Sequence, residues 1–225
     1  MSDIICILVP YSESARQEVG RIASENSPHL VRRGSADGLN LDYHLEDDGR
    51  NFDIIQQPGG ENHIALRFSS KVKDPLQGFT FGRSKSRCDI CFAANDPFRR
   101  LSNIHFRIYL NEWAVLMLED RSTNGTVVDD RLLKTKTNSP NRTKRTLSSG
   151  SKIKVLMHQS GSDLVFLVRI PLRQGRYQAA YQRNLDNYMS ERAHLVIDTN
   201  KTIVPGPNGH VGAPGNSLST CRLCR

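Results

Sequence analysis

The chain has 225 residues, 37% of them hydrophobic, which suits one well-filled domain with tails or two small domains. The net charge is +8, but residues 1–60 hold ten acids and five arginines, so the rest of the chain carries +13. A basic folded part attracts acidic partners such as phosphopeptides or nucleic acid, and an ordinary solvated basic surface is the equal alternative. Five cysteines without framework spacing argue against a disulfide scaffold and favour a reducing compartment.

Residues 1–61 are predicted to form a mostly disordered acidic leader. The segment is rich in Ser, Asp, Glu, Asn and Gly, and it ends in Pro58-Gly59-Gly60. The apolar run 4–9 is too short to span a membrane, and it lacks the basic start and cleavage site of a signal peptide. We therefore expect an edge strand or a weakly docked arm there, and no membrane association.

Residues 62–172 have the pattern of an all-β domain, an antiparallel β-sandwich. Residues 64–68 alternate apolar and polar side chains, and hairpins are predicted over 106–118 and 126–133. Trp113 is expected to fill the core. Many short strands with dense turns and no helices between them predict a sandwich.

Two segments outside these strands are predicted separately. Residues 134–150 interrupt the sandwich as a mobile basic loop, which is either a nuclear-localisation patch or a solvated loop. Residues 173–198 are predicted to form a short amphipathic helix, and 199–225 a disordered tail. One apolar face of the helix is expected to pack on the sandwich or on a partner; its residues are Tyr177, Tyr181, Leu185, Tyr188, Met189 and Leu195.

Three polar clusters, 79–84, 101–106 and 120–126, lie at predicted strand ends and can meet at one rim of the sandwich. Phosphate oxygens accept hydrogen bonds, and the three clusters supply donors for them. The Arg83 fork can bind two phosphate oxygens, the Ser102 hydroxyl can donate to a third, and the Asn103 backbone N–H can add another. This is binding chemistry, because no nucleophile with its base and orienting acid is evident.

At these clusters the sequence resembles the forkhead-associated (FHA) domain, a phosphothreonine-binding β-sandwich. The motifs are Gly82-Arg83-Ser84, Ser102-Asn103-Ile104-His105 and Ser122-Thr123-Asn124-Gly125-Thr126, in the family's order. The resemblance covers about 62–172. Within the family, the second and third motifs are most similar to the amino-terminal FHA module of fungal DNA-damage checkpoint kinases.

The resemblance implies specific roles for the site residues. Thr123 faces the phosphate, with the phosphothreonine methyl seated nearby, which would select against phosphoserine. Asn124 and Asn103 contact the peptide backbone, although Asn124 could instead serve only as a turn residue. Arg100 reads the residue three places after the phosphothreonine and favours an acidic one there, although Arg99 and Lys85 compete for this role.

Three further residues are expected to support the site rather than to contact the ligand. By resemblance, His105 is a scaffold residue that fixes the binding loops. Gly82 and Gly125 are interpreted as residues required by backbone geometry. No catalytic residue, cofactor or metal site is predicted, since Cys88 and Cys91 would point to opposite faces of a strand and Cys221-Arg-Leu-Cys224 lacks a second ligand pair.

The sequence therefore predicts a phosphothreonine-dependent binding module, an adaptor in DNA-damage or cell-cycle signalling, and a nuclear location with the cytoplasm as an alternative. It is not expected to be an enzyme, because kinase motifs are absent. One alternative is the truncated regulatory region of a checkpoint-type kinase. Another is a basic protein associated with nucleic acid, which is disfavoured because the basic loop has no aromatic residue for stacking bases.

Overall fold

The structure, a computed structural model, describes residues 2–25, 27–32, 62–92, 100–134, 143–157, 163–171 and 176–201. The described strands are β1 Ile4–Pro10, β2 Leu30–Arg32, β3 Asn62–Arg67, β4 Phe79–Gly82, β5 Ile90–Cys91, β6 Phe106–Leu110, β7 Leu116–Asp120, β8 Thr126–Val128, β9 Arg131–Leu133, β10 Lys144–Thr146, β11 Lys152–Val155 and β12 Leu164–Arg169. The helices are α1 Glu13–Ser24 and α2 Arg176–Lys201.

These strands form two sheets. The larger sheet has the order β2-β3-β1-β12-β11-β8-β9, and the smaller sheet has the order β10-β7-β6-β4-β5. Paired strands of the described chain are antiparallel, apart from the parallel pair of β4 and β5. The predicted all-β antiparallel sandwich is confirmed.

The core lies between the two sheets, where alternate residues of each strand point inward. Ile108 of β6 and Leu118 of β7 are paired in register and fully buried. The Phe81 ring stacks on Phe106 at 4.5 Å, and Phe92 stacks on Phe166 of the other sheet at 5.5 Å. Full burial of one such side chain contributes about 1.5–3 kcal/mol, so this aromatic cluster joins the sheets firmly.

The amino-terminal segment differs from the disordered leader that we predicted. Strand β1 lies inside the larger sheet between β3 and β12, with six of its seven residues buried, and is therefore neither an edge strand nor an arm. Helix α1 follows, capped by the Ser12 hydroxyl, which accepts from the Ala15 N–H at 3.2 Å. The remainder of the predicted leader, 33–61, lies outside the described residues.

The physical reason for this difference is visible in the sequence. A short, continuous apolar run is typical of a strand buried on both faces, and β1 is one. In α1, the buried Ala15, Val19 and Ile22 recur at helical spacing, but the many polar residues between them obscure the pattern. The sandwich therefore includes residues well before the predicted boundary at 62.

Helix α2 confirms the predicted carboxy-terminal helix, which extends to Lys201. Its buried Tyr181 and half-buried Tyr188 both pack edge-on against Phe68, with ring centroids 5.3 and 5.6 Å apart. The predicted apolar face thus packs on the sandwich, but Leu195 is 38% exposed and lies beyond the packed part.

No described helix is long and apolar enough to cross a membrane. The predicted tail from 202 onward lies outside the described residues.

Two further expectations differ from the structure. Trp113 is 78% exposed rather than in the core, because β7 begins only at Leu116. The preceding turn is closed by the Asn111 side chain, which accepts from the Trp113 and Val115 N–H groups at 3.0 and 2.8 Å. In the predicted mobile loop 134–150, residues 135–142 lie outside the described residues, but β10 within it pairs with β7.

Candidate phosphate-binding site

The three polar clusters of the sequence meet at one edge of the smaller sheet. Strand β6 lies between β4 and β7 and is antiparallel to both, so the start of β6 lies beside the ends of β4 and β7. The loops at these points enclose an open groove of about 420 Å³. Its lining residues are Arg83, Arg87, Leu101, Ser102, Asn103, Ile104, Arg121 and Thr123, with no acid among them.

Arg83 is exposed at the end of β4, where its backbone is held firmly. Its N–H donates to the Ser102 carbonyl at 3.1 Å, and the next N–H, of Ser84, donates to the Asn103 carbonyl at 3.2 Å. No carboxylate of the described residues pairs with the Arg83 guanidinium. The fork of donors is therefore available to an anion in the groove.

Ser102 and Thr123 lie in adjacent loops and are linked directly. The Thr123 N–H donates to the Ser102 hydroxyl oxygen at 3.1 Å, so this hydroxyl accepts a hydrogen bond and keeps its own hydrogen for a ligand. The Asn103 residue is exposed beside them. The structure thus brings four of the predicted site residues into one groove: Arg83, Ser102, Asn103 and Thr123.

His105 supports this groove from beneath and is fully buried. Its Nδ1 accepts from the Ser102 N–H at 3.3 Å, which leaves the hydrogen on Nε2 to be donated to the Gly125 carbonyl, also at 3.3 Å. Its backbone N–H donates to the Phe81 carbonyl at 2.6 Å, and its carbonyl accepts from the Arg121 N–H at 2.8 Å. One residue thereby connects the loops of all three clusters.

The two support glycines are required for different reasons. A Cβ on Gly82 would lie only 2.4 Å from the Asn103 carbonyl oxygen, so any side chain would separate β4 from the Ser102 loop. Gly125 has a φ of +95°, which disfavours other residues, and its Cβ would also lie 2.7 Å from the Leu133 carbonyl oxygen. Asn124 before it does not have a positive φ.

Asn124 and Arg100 do not line the groove. The Asn124 amide donates to the Arg100 carbonyl at 3.0 Å, which ties two loops together, and the Arg100 guanidinium donates to the Met157 carbonyl. Their predicted contacts with the peptide backbone and with an acidic residue therefore stay predictions.

Arg87 and Arg121 line the groove but were not predicted from the sequence. The available signal was their position: Arg87 is in the same loop as Arg83, and Arg121 is two residues before Thr123. The buried Asp120 was also not predicted; its carboxylate accepts from the hydroxyls of Ser122 and Thr126, both at 2.7 Å. Asp120 therefore shapes the loop that presents Thr123.

The two cysteines near the groove act as hydrogen-bond donors. The Cys88 thiol donates to the Asn103 carbonyl at 2.8 Å, and the Cys91 thiol donates to the Arg83 carbonyl at 3.2 Å. Burial raises the pKa of Cys88 to about 11, so it stays a thiol at neutral pH and not the thiolate that binds metals. Across the described ranges, no three His, Cys, Asp or Glu side chains are grouped to hold a metal ion. Cys221 and Cys224 lie outside these ranges.

Helix α1 also contacts the loop that follows Arg83. The Arg21 guanidinium donates to the Cys91 carbonyl at 2.7 Å and is held by the buried Glu18 carboxylate at 2.6 Å. At the end of the helix, the Lys85 ammonium lies 3.3 Å from the Glu25 carboxylate. An element far from the three clusters in sequence is thus part of the framework of the groove.

Residues 79–155, about a third of the chain, match the model of the FHA domain family. These residues are thus similar to a family of phosphopeptide-binding modules. The 225 residues contain no kinase domain. No curated protein matches the chain.

Several solved FHA domains resemble the chain, with low TM-scores. The N-terminal FHA domain of S. cerevisiae Rad53p, in complex with a phosphothreonine peptide, is 29% identical, covering 47% of this chain and 83% of that one (TM-score 0.35). The FHA1 domain of yeast Rad53 is 20% identical over 80% of this chain and 85% of that one (TM-score 0.39). The FHA domain of the Chlamydia trachomatis CT664 protein is 20% identical, covering 47% of this chain and 82% of that one (TM-score 0.32).

Proposed function

We propose that this chain captures phosphothreonine-containing proteins reversibly and acts as an adaptor, not as an enzyme. The observation that carries the proposal is the groove itself, where the Arg83 guanidinium and the Ser102 hydroxyl converge. Within the described part of the chain, no carboxylate pairs with Arg83 and no acid lines the groove. A phosphate with a charge of roughly −1.5 to −2 and three strong acceptor oxygens fits these donors. A neutral peptide would offer no anionic partner to the Arg83 guanidinium.

Selection of phosphothreonine over phosphoserine needs an apolar contact for one methyl group. The groove offers the half-buried Ile104 beside Thr123 and Ser102, so the methyl has an apolar side chain close to the phosphate donors. Burying a methyl-sized group contributes about 0.8 kcal/mol, which corresponds to roughly a fourfold preference.

The experiment is titration calorimetry of the full chain with matched phosphothreonine, phosphoserine and unmodified peptides, each made with Asp or Ala at the third following position. We expect the phosphothreonine peptide to bind and the unmodified peptide not to bind. Arg83→Ala should abolish binding while circular dichroism shows an unchanged fold, because the exposed Arg83 side chain supports no packing. Normal affinity of Arg83→Ala for the phosphopeptide would refute the proposal.

The Asp and Ala pair tests the acidic preference that we propose for the third following position. Arg100 would have to exchange the Met157 carbonyl for the ligand carboxylate, so the preference should be modest. Equal affinity of the two peptides would show that Arg100 does not bind an acidic residue of the ligand.

We further propose a role in DNA-damage or cell-cycle signalling and a nuclear location. The resemblance of the motifs to checkpoint-kinase modules supports the role, and the eight basic residues without an acid between Arg131 and Lys154 support the location. Imaging of a fluorescent fusion, with and without DNA damage, tests both. A fusion excluded from the nucleus under both conditions would contradict them.

A further inference from the structure

The groove contains more positive charge than one phosphate requires. Arg83 lines it together with two further arginines, Arg87 and Arg121, and no lining residue is acidic. The Arg83 fork, the Ser102 hydroxyl and the Asn103 N–H already suffice for three phosphate oxygens. Two arginines therefore remain for other parts of a ligand.

Arg87 lies in the loop between β4 and β5, in a turn closed by its N–H to the Ser84 carbonyl at 3.1 Å. The acid of this loop, Asp89, does not neutralise it. The Asp89 carboxylate accepts from the Lys73 N–H at 2.7 Å and from the Thr80 N–H and hydroxyl at 2.8 and 2.7 Å. Among the described residues no carboxylate pairs with the exposed Arg87.

Arg121 has one acidic neighbour, which it shares. Its guanidinium lies 3.4 Å from one Glu119 oxygen, while the other Glu119 oxygen accepts two hydrogen bonds from Arg107, at 3.0 and 2.6 Å. The Lys144 ammonium lies 3.9 Å from the same carboxylate. One negative charge is thus divided among three cations, and Arg121 keeps net positive charge at the groove.

The strand order places these arginines on opposite sides of the phosphate donors. The loop of Arg83 and Arg87 follows β4, Arg121 follows β7, and the Ser102 loop precedes β6, which lies between β4 and β7. A peptide that crosses the groove with its phosphate at Ser102 would therefore have one arginine on each flank.

We propose that Arg87 and Arg121 form two anion subsites that flank the phosphate site, so that the preferred ligand carries an anionic group, phosphate or carboxylate, on each side of its phosphothreonine. This rests on the proposed function of the groove and specifies its ligand class. The ligand is then a multiply phosphorylated or acidic segment instead of an isolated phosphothreonine.

The test uses the full chain and a phosphothreonine peptide with neutral flanks. One Asp or one phosphoserine is moved through the three preceding and the first two following positions, because the third following position reports on Arg100. The Kd is measured by fluorescence anisotropy. An added anion should tighten binding by about twofold to fivefold on each flank, the range for a partly exposed ion pair. The Asp and phosphoserine series distinguish the two sources of the charge.

Arg87→Gln should remove the gain on one flank only, and Arg121→Gln the gain on the other. Arg131→Gln is the matched control, since Arg131 is exposed and pairs with the end of β8 away from the groove, and it should retain both gains. The proposal is overturned if no added anion tightens binding, or if each groove variant weakens all peptides equally, including the one with neutral flanks. Binding of the neutral-flanked peptide, and its loss in Arg83→Ala, reports on the proposed function separately.

Discussion

The His105 side chain connects the loops of the groove although it is fully buried. His105→Ala removes the acceptor for the Ser102 N–H and the donor to the Gly125 carbonyl, and it leaves an internal cavity. Unpaired buried groups of this kind cost about 1–3 kcal/mol. We therefore expect a lower melting temperature and a lower free energy of unfolding, both measurable by thermal and urea denaturation.

The matched control for this change is His194→Ala, because His194 is exposed on α2. It should change the free energy of unfolding by no more than about 0.5 kcal/mol. If His105→Ala melts at the same temperature as the unmodified chain, His105 is not a scaffold residue.

A second buried histidine makes stability depend on pH. His29 packs against the Phe79 ring, and burial lowers its pKa, while the Asp89 carboxylate acts in the opposite direction. Below about pH 6.5, His29 therefore binds a proton in the unfolded chain more readily than in the folded chain. The free energy of unfolding should fall as the pH decreases through this value. Well above about pH 6.5, His29 is neutral in both the folded and the unfolded chain, so it does not lower the free energy of unfolding there.

Urea denaturation at about pH 7.5 and about pH 5.5 measures this effect. His29→Phe keeps an aromatic ring but cannot titrate, so its loss of stability between the two pH values should be smaller. An equal loss in both proteins would show that other groups cause the pH dependence.

At the scale of elements, α1 holds β5, the strand at the end of the loop that follows Arg83. Arg21 donates to the Cys91 carbonyl, and the Cys91 thiol donates to the Arg83 carbonyl. Because Arg21→Met alone would remove the two hydrogen bonds that the buried Glu18 carboxylate accepts from Arg21, we combine it with Glu18→Gln. The double variant should raise the Kd for a phosphothreonine peptide by about twofold to tenfold, the effect of one lost hydrogen bond.

The Kd is measured at a temperature where circular dichroism shows both proteins folded, so that a loss of stability alone leaves it unchanged. Arg183→Met, an exposed arginine of α2, serves as the control. An unaltered Kd in the double variant would mean that α1 only packs on the sandwich and does not position the loop.

For the whole molecule, the position of β1 determines which fragment can fold. Its Ile5, Cys6 and Leu8 belong to the main core, and its two neighbours β3 and β12 would become open edges without it. A fragment that begins at residue 62 should therefore be unfolded or aggregated, even though it contains all three site clusters. Its circular dichroism and urea denaturation, compared with the full chain, check this; cooperative unfolding of the fragment would contradict it.

Local patterns were enough to predict the sandwich and the carboxy-terminal helix, and to place the three polar clusters at strand ends. Alternating burial in β6 and β7 follows directly from alternating side chains, and the clusters around Arg83, Ser102 and Thr123 lie at strand ends because turns need their residue types. These features depend on neighbours in sequence, so the amino-acid order by itself determined them.

Tertiary structure alone decided the rest. The run 4–9 could form an edge or an inner strand, and only pairing with β3 and β12 distinguishes them. Arg87 and Arg100 are both arginines close to a site motif in the sequence. Only Arg87 lines the groove, because the Arg100 guanidinium donates to the Met157 carbonyl instead. Strand pairing and side-chain direction depend on contacts between residues that are distant in sequence, and no local pattern carries that information.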